Sequence, residues 1–387
     1  MSEKISFNKE KVGSVAKFLA KRWFIDAFSG MALGLFCTLI AGTILGSIGS
    51  WINLINGGNL AGVWIINIAN CAKTLMGAGI GVGIAHKLKV KSPLIIFAAA
   101  VSGLVGAFAV SNTGAFSIFQ SAFSIKLGAP GNPIGAYVVA LFGIEITNLY
   151  AGKTKIDIIL IPLGMMITSM VGIFIAWPFV KLVYYIGVLI EKIILLNDVA
   201  MYLMAILVSV VMGILLTMPT SSAAIWVAIV GAMTAADGTV PMALYIAGGA
   251  AVAGCSAHMV GFAVASFREN KWGGLISQGI GTSMLQIPNI MKHPLILIPA
   301  VVSSIITGPV AVAFGLLCDA SGGGMGTSGL VGVIQTISVS LANGVAGWRI
   351  GVGVALTLFI IPAVVSFAVS EFMRRKGWIK LGDMALD

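Results

Sequence analysis

The sequence contains few charged residues. Only 9% of its 387 residues are Asp, Glu, Lys or Arg, whereas 58% are hydrophobic. An average soluble domain is about one quarter charged. Because no stretch is polar enough to cover a soluble domain, the composition excludes a soluble globular protein. It predicts a chain that crosses the lipid bilayer several times and keeps its polar side chains inside a bundle of helices.

Cysteine and histidine are also scarce. The four cysteines are far apart and show no Cys-x-x-Cys spacing, so we expect neither a metal site nor a disulfide framework. The sequence also lacks a zinc-ligand spacing, a pair of closely spaced carboxylates and a Ser-His-Asp order. We therefore expect no catalytic residue, no metal and no cofactor in this chain.

The net charge of +10 raises the question of nucleic acid, but the distribution of the basic residues argues against such a partner. They occur in short clusters between apolar stretches, as the positive-inside rule expects of a membrane protein. The clusters at residues 4–22 and 374–380 predict that both termini are cytoplasmic. Further clusters, at 87–91, 153–155, 268–271 and 292, mark predicted cytoplasmic loops.

Apolar segments recur at residues 27–49, 52–73, 93–112, 134–150, 157–177, 200–217, 222–236, 241–267, 294–316, 330–345 and 350–370. A membrane helix needs about 20 apolar residues, and three of these segments are clearly shorter. Short, glycine-interrupted segments of transporters often form re-entrant or broken helices. Eleven crossings would place the basic C-terminus outside, so at least one short segment should not cross. The predicted fold is an all-α polytopic membrane protein with about ten transmembrane helices and re-entrant hairpins.

An internal repeat divides the chain into two related halves. Gly79-Ile80-Gly81 precedes KSPLI at 91–95, and about 200 residues later Gly279-Ile280-Gly281 precedes KHPLI at 292–296. Each copy then reaches a glycine-rich stretch, at 128–135 and 321–329. Duplication is the simple interpretation, and chance similarity is the alternative. The predicted organisation is a basic N-terminal segment (1–26), a first membrane repeat (27–177), an interfacial helix with a connecting span (178–217), a second repeat (218–370) and a C-terminal tail (371–387).

Glu145 is the first candidate for chemistry. Ionisable residues at membrane depth cost on the order of 3 kcal/mol each on insertion scales, and are functional candidates by default. Glu145 lies inside the short apolar segment 134–150. Its carboxylate could accept hydrogen bonds from vicinal hydroxyls of a sugar, or bind a proton or a cation. The structural alternative is an ion pair with a lysine such as Lys153.

His258 is the second candidate, deep within the apolar segment 241–267. An imidazole can donate and accept hydrogen bonds, which suits hydroxyl recognition or a proton relay. The alternative is a structural histidine whose hydrogen bonds are satisfied within the protein.

Polar residues in and near the glycine-rich stretches complete the set. Unwound backbone is tolerated at membrane depth only where it is buried in protein or lines a cavity. Both stretches could therefore line one site between the two halves, and ordinary external loops are the alternative. With Glu145 and His258, the predicted substrate-contacting residues are Asn112, Asn132, Asn148, Asp319, Thr327 and Gln335.

Six motifs follow one another along the chain: GAPGNPIGAY (128–137), GIEITN (143–148), MPTSSAAIW (218–226), GCSAHMVGFAVASFRENKWGG (254–274), QIPNIMKHPLILIP (286–299) and DASGGGMGTSGLVG (319–332). Together they resemble the IIC membrane component of the bacterial phosphotransferase system. More narrowly, they resemble its divergent branch of perfringolysin O regulator-like proteins. The resemblance covers nearly the whole chain after residue 27.

This resemblance implies a homodimeric sugar permease of the bacterial cytoplasmic membrane, with ten spans and two re-entrant hairpins. In better-known relatives a Gly-Ile-Thr-Glu motif contacts the sugar. The nearest match here is Gly143-Ile144-Glu145-Ile146-Thr147, in altered order. His258 is the candidate for a histidine that contacts sugar in some relatives. Phosphoryl transfer would require separate IIB and IIA phosphocarrier proteins.

The predicted function is therefore binding and translocation of a sugar or polyol as a IIC subunit. Two alternatives remain open from the sequence. The regulator branch implies a membrane sensor that controls gene expression, and a buried carboxylate at Glu145 would also suit a proton-coupled secondary transporter.

Overall fold

The computed structural model describes residues 18–56, 60–109, 125, 127–128, 131–218, 222–235 and 238–386. Every regular element in these ranges is a helix, as predicted. In lipid no water satisfies backbone N–H and C=O groups, and a helix satisfies them within its own segment. The α-helices in chain order are α1 (Ala27–Leu35), α2 (Ala41–Asn56), α3 (Leu60–Thr74), α4 (Met76–Lys87), α5 (Pro93–Ala109), α6 (Pro133–Tyr150), α7 (Asp157–Ile194), α8 (Asp198–Thr217), α9 (Ser222–Met233), α10 (Met242–Ala265), α11 (Phe267–Ile276), α12 (Ile287–Lys292), α13 (Ile298–Ala313), α14 (Val331–Ala342), α15 (Gly347–Val354) and α16 (Ile361–Arg375).

Helices α1 and α2 form one continuous helix, because the π-helical turn Phe36–Ile40 joins them. The predicted boundary between the segments 27–49 and 52–73 is wrong, because α2 continues to Asn56. The glycine at this point serves packing rather than a turn. A Cβ atom on Gly49 would lie 3.0 Å from the carbonyl oxygen of Gly62 on α3, so glycine allows α2 to approach α3 closely.

Helix α7 is 38 residues long and continues through Pro162 and Pro178. The predicted division between residues 177 and 178 is therefore not a helix end, since neighbouring groups can compensate for proline in membrane helices. At 1.5 Å per residue α7 is about 57 Å long, against a hydrocarbon core of about 30 Å. Part of α7 must lie beyond that core unless the helix is steeply tilted. The interfacial position of its C-terminal part remains a prediction.

Among the described residues, seven helical segments are long and apolar enough to cross a membrane. The pair α3–α4, bent by 52°, would make eight if it crosses as one broken span. Helices α5 and α9 and the segment Ser328–Ala342 are apolar but shorter. The predicted ten crossings would require at least two of these three to cross, and that count remains a prediction.

Glycine brings the helices of the first half into backbone contact. A Cβ atom on Gly34 would lie 2.2 Å from the carbonyl oxygen of Gly79, and one on Gly103 would lie 2.1 Å from that of Gly77. Helix α4 therefore packs directly between α1 and α5, as small residues permit in membranes. This packing brings the loop that follows α4 next to the beginning of the N-terminal helix.

Helix α10 lies at the centre of the second half. In its most apolar stretch 83% of the residues are buried. The helix packs against α8, α13 and α16. A Cβ atom on Gly254 would lie 1.9 Å from the carbonyl oxygen of Ser209 on α8. Its bounds agree with the predicted apolar segment 241–267 to within two residues.

The chain after α10 is broken into short helical pieces. A π-helical turn, Ser277–Gly281, and a 3₁₀ turn, Ser283–Gln286, separate α11 from α12. The second-copy residues Gly279-Ile280-Gly281 lie in this π turn, whereas their first-copy counterparts lie in α4. The duplication remains a prediction.

The C-terminal tail after α16 packs onto these pieces. Ile379 and Met384 are buried, with 1% and 0% of their surface exposed. The carbonyl oxygen of Met384 accepts hydrogen bonds from the side-chain amides of Asn270 (2.8 Å) and Gln286 (3.0 Å). The tail is therefore part of the folded second half.

Candidate functional site

Glu145 lies on α6 and accepts three N–H hydrogen bonds. Its Oε1 accepts from Arg22 Nε at 2.6 Å and from Trp23 Nε1 at 3.1 Å, and its Oε2 accepts from Arg22 Nη2 at 3.4 Å. Both donors belong to the π-helical turn Arg22–Asp26 that precedes α1. The planar fork of a guanidinium matches the two oxygens of a carboxylate. The cation paired with Glu145 is thus Arg22, rather than the lysine that the sequence suggested.

Further contacts hold this N-terminal turn against α6. The hydroxyl of Tyr137 on α6 donates to the carbonyl oxygen of Trp23, and the Tyr137 ring packs against Phe28 with ring centroids 4.7 Å apart. Arg22 Nη1 also donates to the carbonyl oxygen of Leu88, at 3.3 Å. The backbone of the turn is therefore fixed independently of the Arg22–Glu145 ion pair.

An open groove adjoins the ion pair. Its walls are Arg22, Asp26 and the turn at 86–89 that follows α4, which contributes His86, Lys87 and Lys89. The Arg22 and Glu145 side chains keep 19% and 26% of their surface exposed. A carboxylate has about four lone-pair positions and accepts hydroxyl donors as readily as N–H donors. A polar solute entering the groove could therefore take over hydrogen bonds that Arg22 now makes.

His258 is fully buried between α8 and α10. Its Nδ1 is 2.9 Å from the hydroxyl oxygen of Thr217, which is in turn 3.1 Å from that of Ser283. Its Nε2 has no hydrogen-bond partner in the described part of the chain. A Cβ atom on Gly213 of α8 would lie 2.8 Å from that nitrogen. The ring therefore fills a helix contact, and its unpaired Nε2 is buried against α8.

Asn132 and Asn148, two of the predicted substrate-contacting residues, form hydrogen bonds at the ends of α6. Asn132 is the N-cap: its Oδ1 accepts a 2.9 Å hydrogen bond from the backbone N–H three positions on, and its own N–H donates to Ala107. Asn148 Oδ1 accepts from the backbone N–H of Lys91 at 2.9 Å. Both asparagines thus fix the position of the helix that carries Glu145. A direct role in substrate binding remains a prediction for both.

Asp319 organises the second glycine-rich stretch. Its carboxylate accepts from the backbone N–H and hydroxyl of Ser321 and from the backbone N–H of Gly322, at 2.9–3.1 Å. Residues 321–327 are all buried. The stretch is therefore unwound backbone enclosed in protein, unlike an external loop.

Thr327 and Gln335 connect that stretch to its surroundings. The Thr327 hydroxyl donates to the carbonyl oxygen of Gly279 at 2.6 Å. Gln335, on α14, is 2% exposed, and a Cβ atom on Gly322 would lie 2.6 Å from its Cβ. The stretch is thus packed between the pieces that follow α10 and helix α14.

The first glycine-rich stretch is held against the end of α3. The hydroxyl of Thr74 accepts a 2.8 Å hydrogen bond from the backbone N–H of Gly128 in this stretch.

The predicted residues fall into two groups. Glu145, Asn132 and Asn148 lie on or at the ends of α6, whereas His258, Asp319, Thr327 and Gln335 lie in the second half. Glu145 and His258 do not contact each other in the described structure. Asn112 lies outside the described residues.

Arg22 and Trp23 were missed as site residues. Arg22 was assigned to the basic cluster that precedes the first span, and its partner is 123 positions away. A signal was nevertheless present in the sequence. Arg22, Trp23 and Asp26 bring two donors and an acid together within about one helical turn.

Comparison with known proteins identifies the family of this chain. The family model for the EIIC component of the phosphotransferase system matches residues 25–386. Among solved structures, the chain is similar to the crystal structure of the transporter ChbC, the IIC component from the N,N'-diacetylchitobiose-specific phosphotransferase system. The identity is 15%, the similarity covers 96% of this chain and 99% of that chain, and the TM-score is 0.45. No curated protein sequence matches this chain.

Proposed function

The chain belongs to the phosphotransferase system EIIC family, and we propose that Glu145 is the residue through which it binds its sugar or polyol. Membership makes it a multi-pass membrane component of a bacterial sugar-transport system, with IIA and IIB proteins as its general partners. The residue that contacts the solute is what the proposal adds.

The position of the Glu145 carboxylate carries this proposal. It is one-quarter exposed, it already accepts several N–H donors, and its partner Arg22 lines an open groove. A sugar presents hydroxyl donors on neighbouring carbons, and a carboxylate can accept two of them at once. Hydrogen bonds to a charged group contribute about 1.5–3 kcal/mol each. His258 is a weaker candidate, because its free nitrogen faces the backbone of α8.

The basic clusters support a cytoplasmic position for this groove. Arg22 ends the basic N-terminal cluster, and the turn at 86–89 opens the next one. Because cytoplasmic loops carry the excess of Lys and Arg, we infer that the N-terminus and the groove are cytoplasmic. A phosphorylated IIB protein would meet a sugar bound there from the same side. The homodimer that the family resemblance implies belongs to the same proposal.

Sugar binding to the purified protein tests the role of Glu145. A panel of sugars and polyols is titrated into the wild type by calorimetry, and the solute that binds is then titrated into Glu145→Gln. We expect at least a tenfold higher Kd, because the neutral amide accepts fewer and weaker hydrogen bonds. Glu371→Gln is the matched control, since Glu371 is also paired with an arginine, Arg268. Unchanged affinity in Glu145→Gln would show that the sugar binds elsewhere.

A further inference from the structure

Arg22 occupies the same carboxylate oxygens that the proposed function assigns to the sugar. Its Nε and Nη2 each reach a different oxygen of Glu145, at 2.6 and 3.4 Å. Two donors on a short, rigid frame are also what two neighbouring hydroxyls of a sugar present. Arg22 and a sugar therefore compete for one acceptor, and both cannot hold it at full strength.

Asp26 is a second acidic residue with which Arg22 could pair. It lies about one helical turn further along the same helix, a spacing at which opposite charges can pair. Asp26 lines the same groove as Arg22, and its carboxylate makes no hydrogen bond or ion pair within the described ranges. A change of side-chain rotamer alone could carry the guanidinium from Glu145 to Asp26.

The backbone around Arg22 need not move in that exchange. The carbonyl oxygen of Trp23 is held by the hydroxyl of Tyr137, whose ring packs on Phe28. The Arg22 and Glu145 side chains are 19% and 26% exposed, so water screens part of their attraction. A solute that offers donors to the same two oxygens can therefore compete with Arg22 for them.

We propose that Arg22 is an internal competitor for Glu145 that sets the affinity of the sugar site, and that Asp26 accepts Arg22 when the sugar binds. This inference rests on the proposed role of Glu145. It predicts that substitutions of Arg22 and of Asp26 change the affinity for the sugar in opposite directions. Removal of Arg22 frees the carboxylate, whereas removal of the Asp26 charge deprives Arg22 of its alternative acidic partner.

The test measures the Kd of the sugar that binds the wild type, in two variants of the full-length protein. Arg22→Met keeps the apolar stem and should lower the Kd about three- to fivefold, which is the scale of a partly exposed ion pair. Asp26→Asn should raise the Kd by a similar factor. The control Arg268→Met removes an arginine from another partly exposed ion pair and should leave the Kd unchanged.

The outcomes separate this inference from the function on which it rests. If Glu145→Gln binds the sugar as the wild type does, the proposed function fails. If Glu145→Gln loses binding but Arg22→Met binds no more tightly, the competitor role is wrong. If Arg22→Met does not fold, Asp26→Asn still decides, because an Asp26 variant with unchanged or tighter binding also overturns the inference.

Discussion

Removing the charge of Arg374 should destabilise this protein far more than removing the charge of Arg268. Arg374 Nη2 lies 2.8 Å from Glu269 Oε1, and the two side chains are only 8% and 3% exposed. The same Arg374 nitrogen donates to the carbonyl oxygen of Ala265 at 3.1 Å. Arg268 also forms a 2.8 Å ion pair, with Glu371, but the Arg268 side chain is 57% exposed.

The difference in burial determines how much stability each substitution should cost. Arg374→Met leaves the Glu269 carboxylate buried without its counter-charge, and breaking a buried pair on one side costs about 3–5 kcal/mol. Arg268→Met leaves a carboxylate that water can reach, and exposed pairs contribute less than about 1 kcal/mol. We therefore expect the two methionine variants to differ by at least about 2 kcal/mol.

Unfolding by SDS in mixed detergent micelles measures this difference as a free energy of unfolding. The double variant Glu269→Gln/Arg374→Met isolates the charge effect, because it removes both partners. It should recover much of the loss, since the remaining amide is far less costly to bury than a carboxylate. The reasoning is refuted if Arg374→Met is no less stable than Arg268→Met. It also fails if the double variant is as unstable as Arg374→Met.

Three further predictions concern packing and capping. Gly254→Ala should abolish the folded, monodisperse species in size-exclusion chromatography, because its Cβ atom would meet the Ser209 carbonyl at 1.9 Å; Gly273→Ala, with nothing within 4 Å, should leave it intact. Asn132→Ala should lower the free energy of unfolding by about 0.5–2 kcal/mol through loss of the α6 N-cap. Met384→Ala should cost about 2–5 kcal/mol and make the tail sensitive to trypsin, since Met384 is fully buried.

Local sequence features predicted several helices well. The apolar segments at 134–150 and 241–267 correspond to α6 and α10 within two residues at each end. Each helix begins at or just after a proline, and Asn132 supplies the cap of α6. Hydropathy together with Pro and Asn is sufficient here because the ends of these helices are determined locally.

Features that depend on distant contacts could not be predicted in this way. Glu145 and Arg22 are 123 positions apart, and Glu269 and Arg374 are 105 apart. The charge pattern assigned both arginines to basic clusters at the membrane surface and gave no information about their partners. The continuity of α7 through Pro178 was missed for a related reason, because tertiary packing decides whether a proline breaks a membrane helix.

The two ion pairs differ in burial, and we expect them to differ in whether they change during transport. Glu269–Arg374 is buried and joins α11, α16 and the C-terminal tail, through Gly382 N–H and the carbonyl oxygen of Lys380, into one unit. Arg22–Glu145 is partly exposed and has an acidic alternative, Asp26, in the same groove. Alternating access requires bodies that stay rigid and contacts that change between them. A partly exposed pair whose acceptor a solute can occupy is able to change during each cycle, whereas breaking a buried pair leaves an uncompensated charge inside the protein. We therefore expect substrate to act on the Arg22–Glu145 pair while the Glu269–Arg374 pair keeps its half of the protein intact.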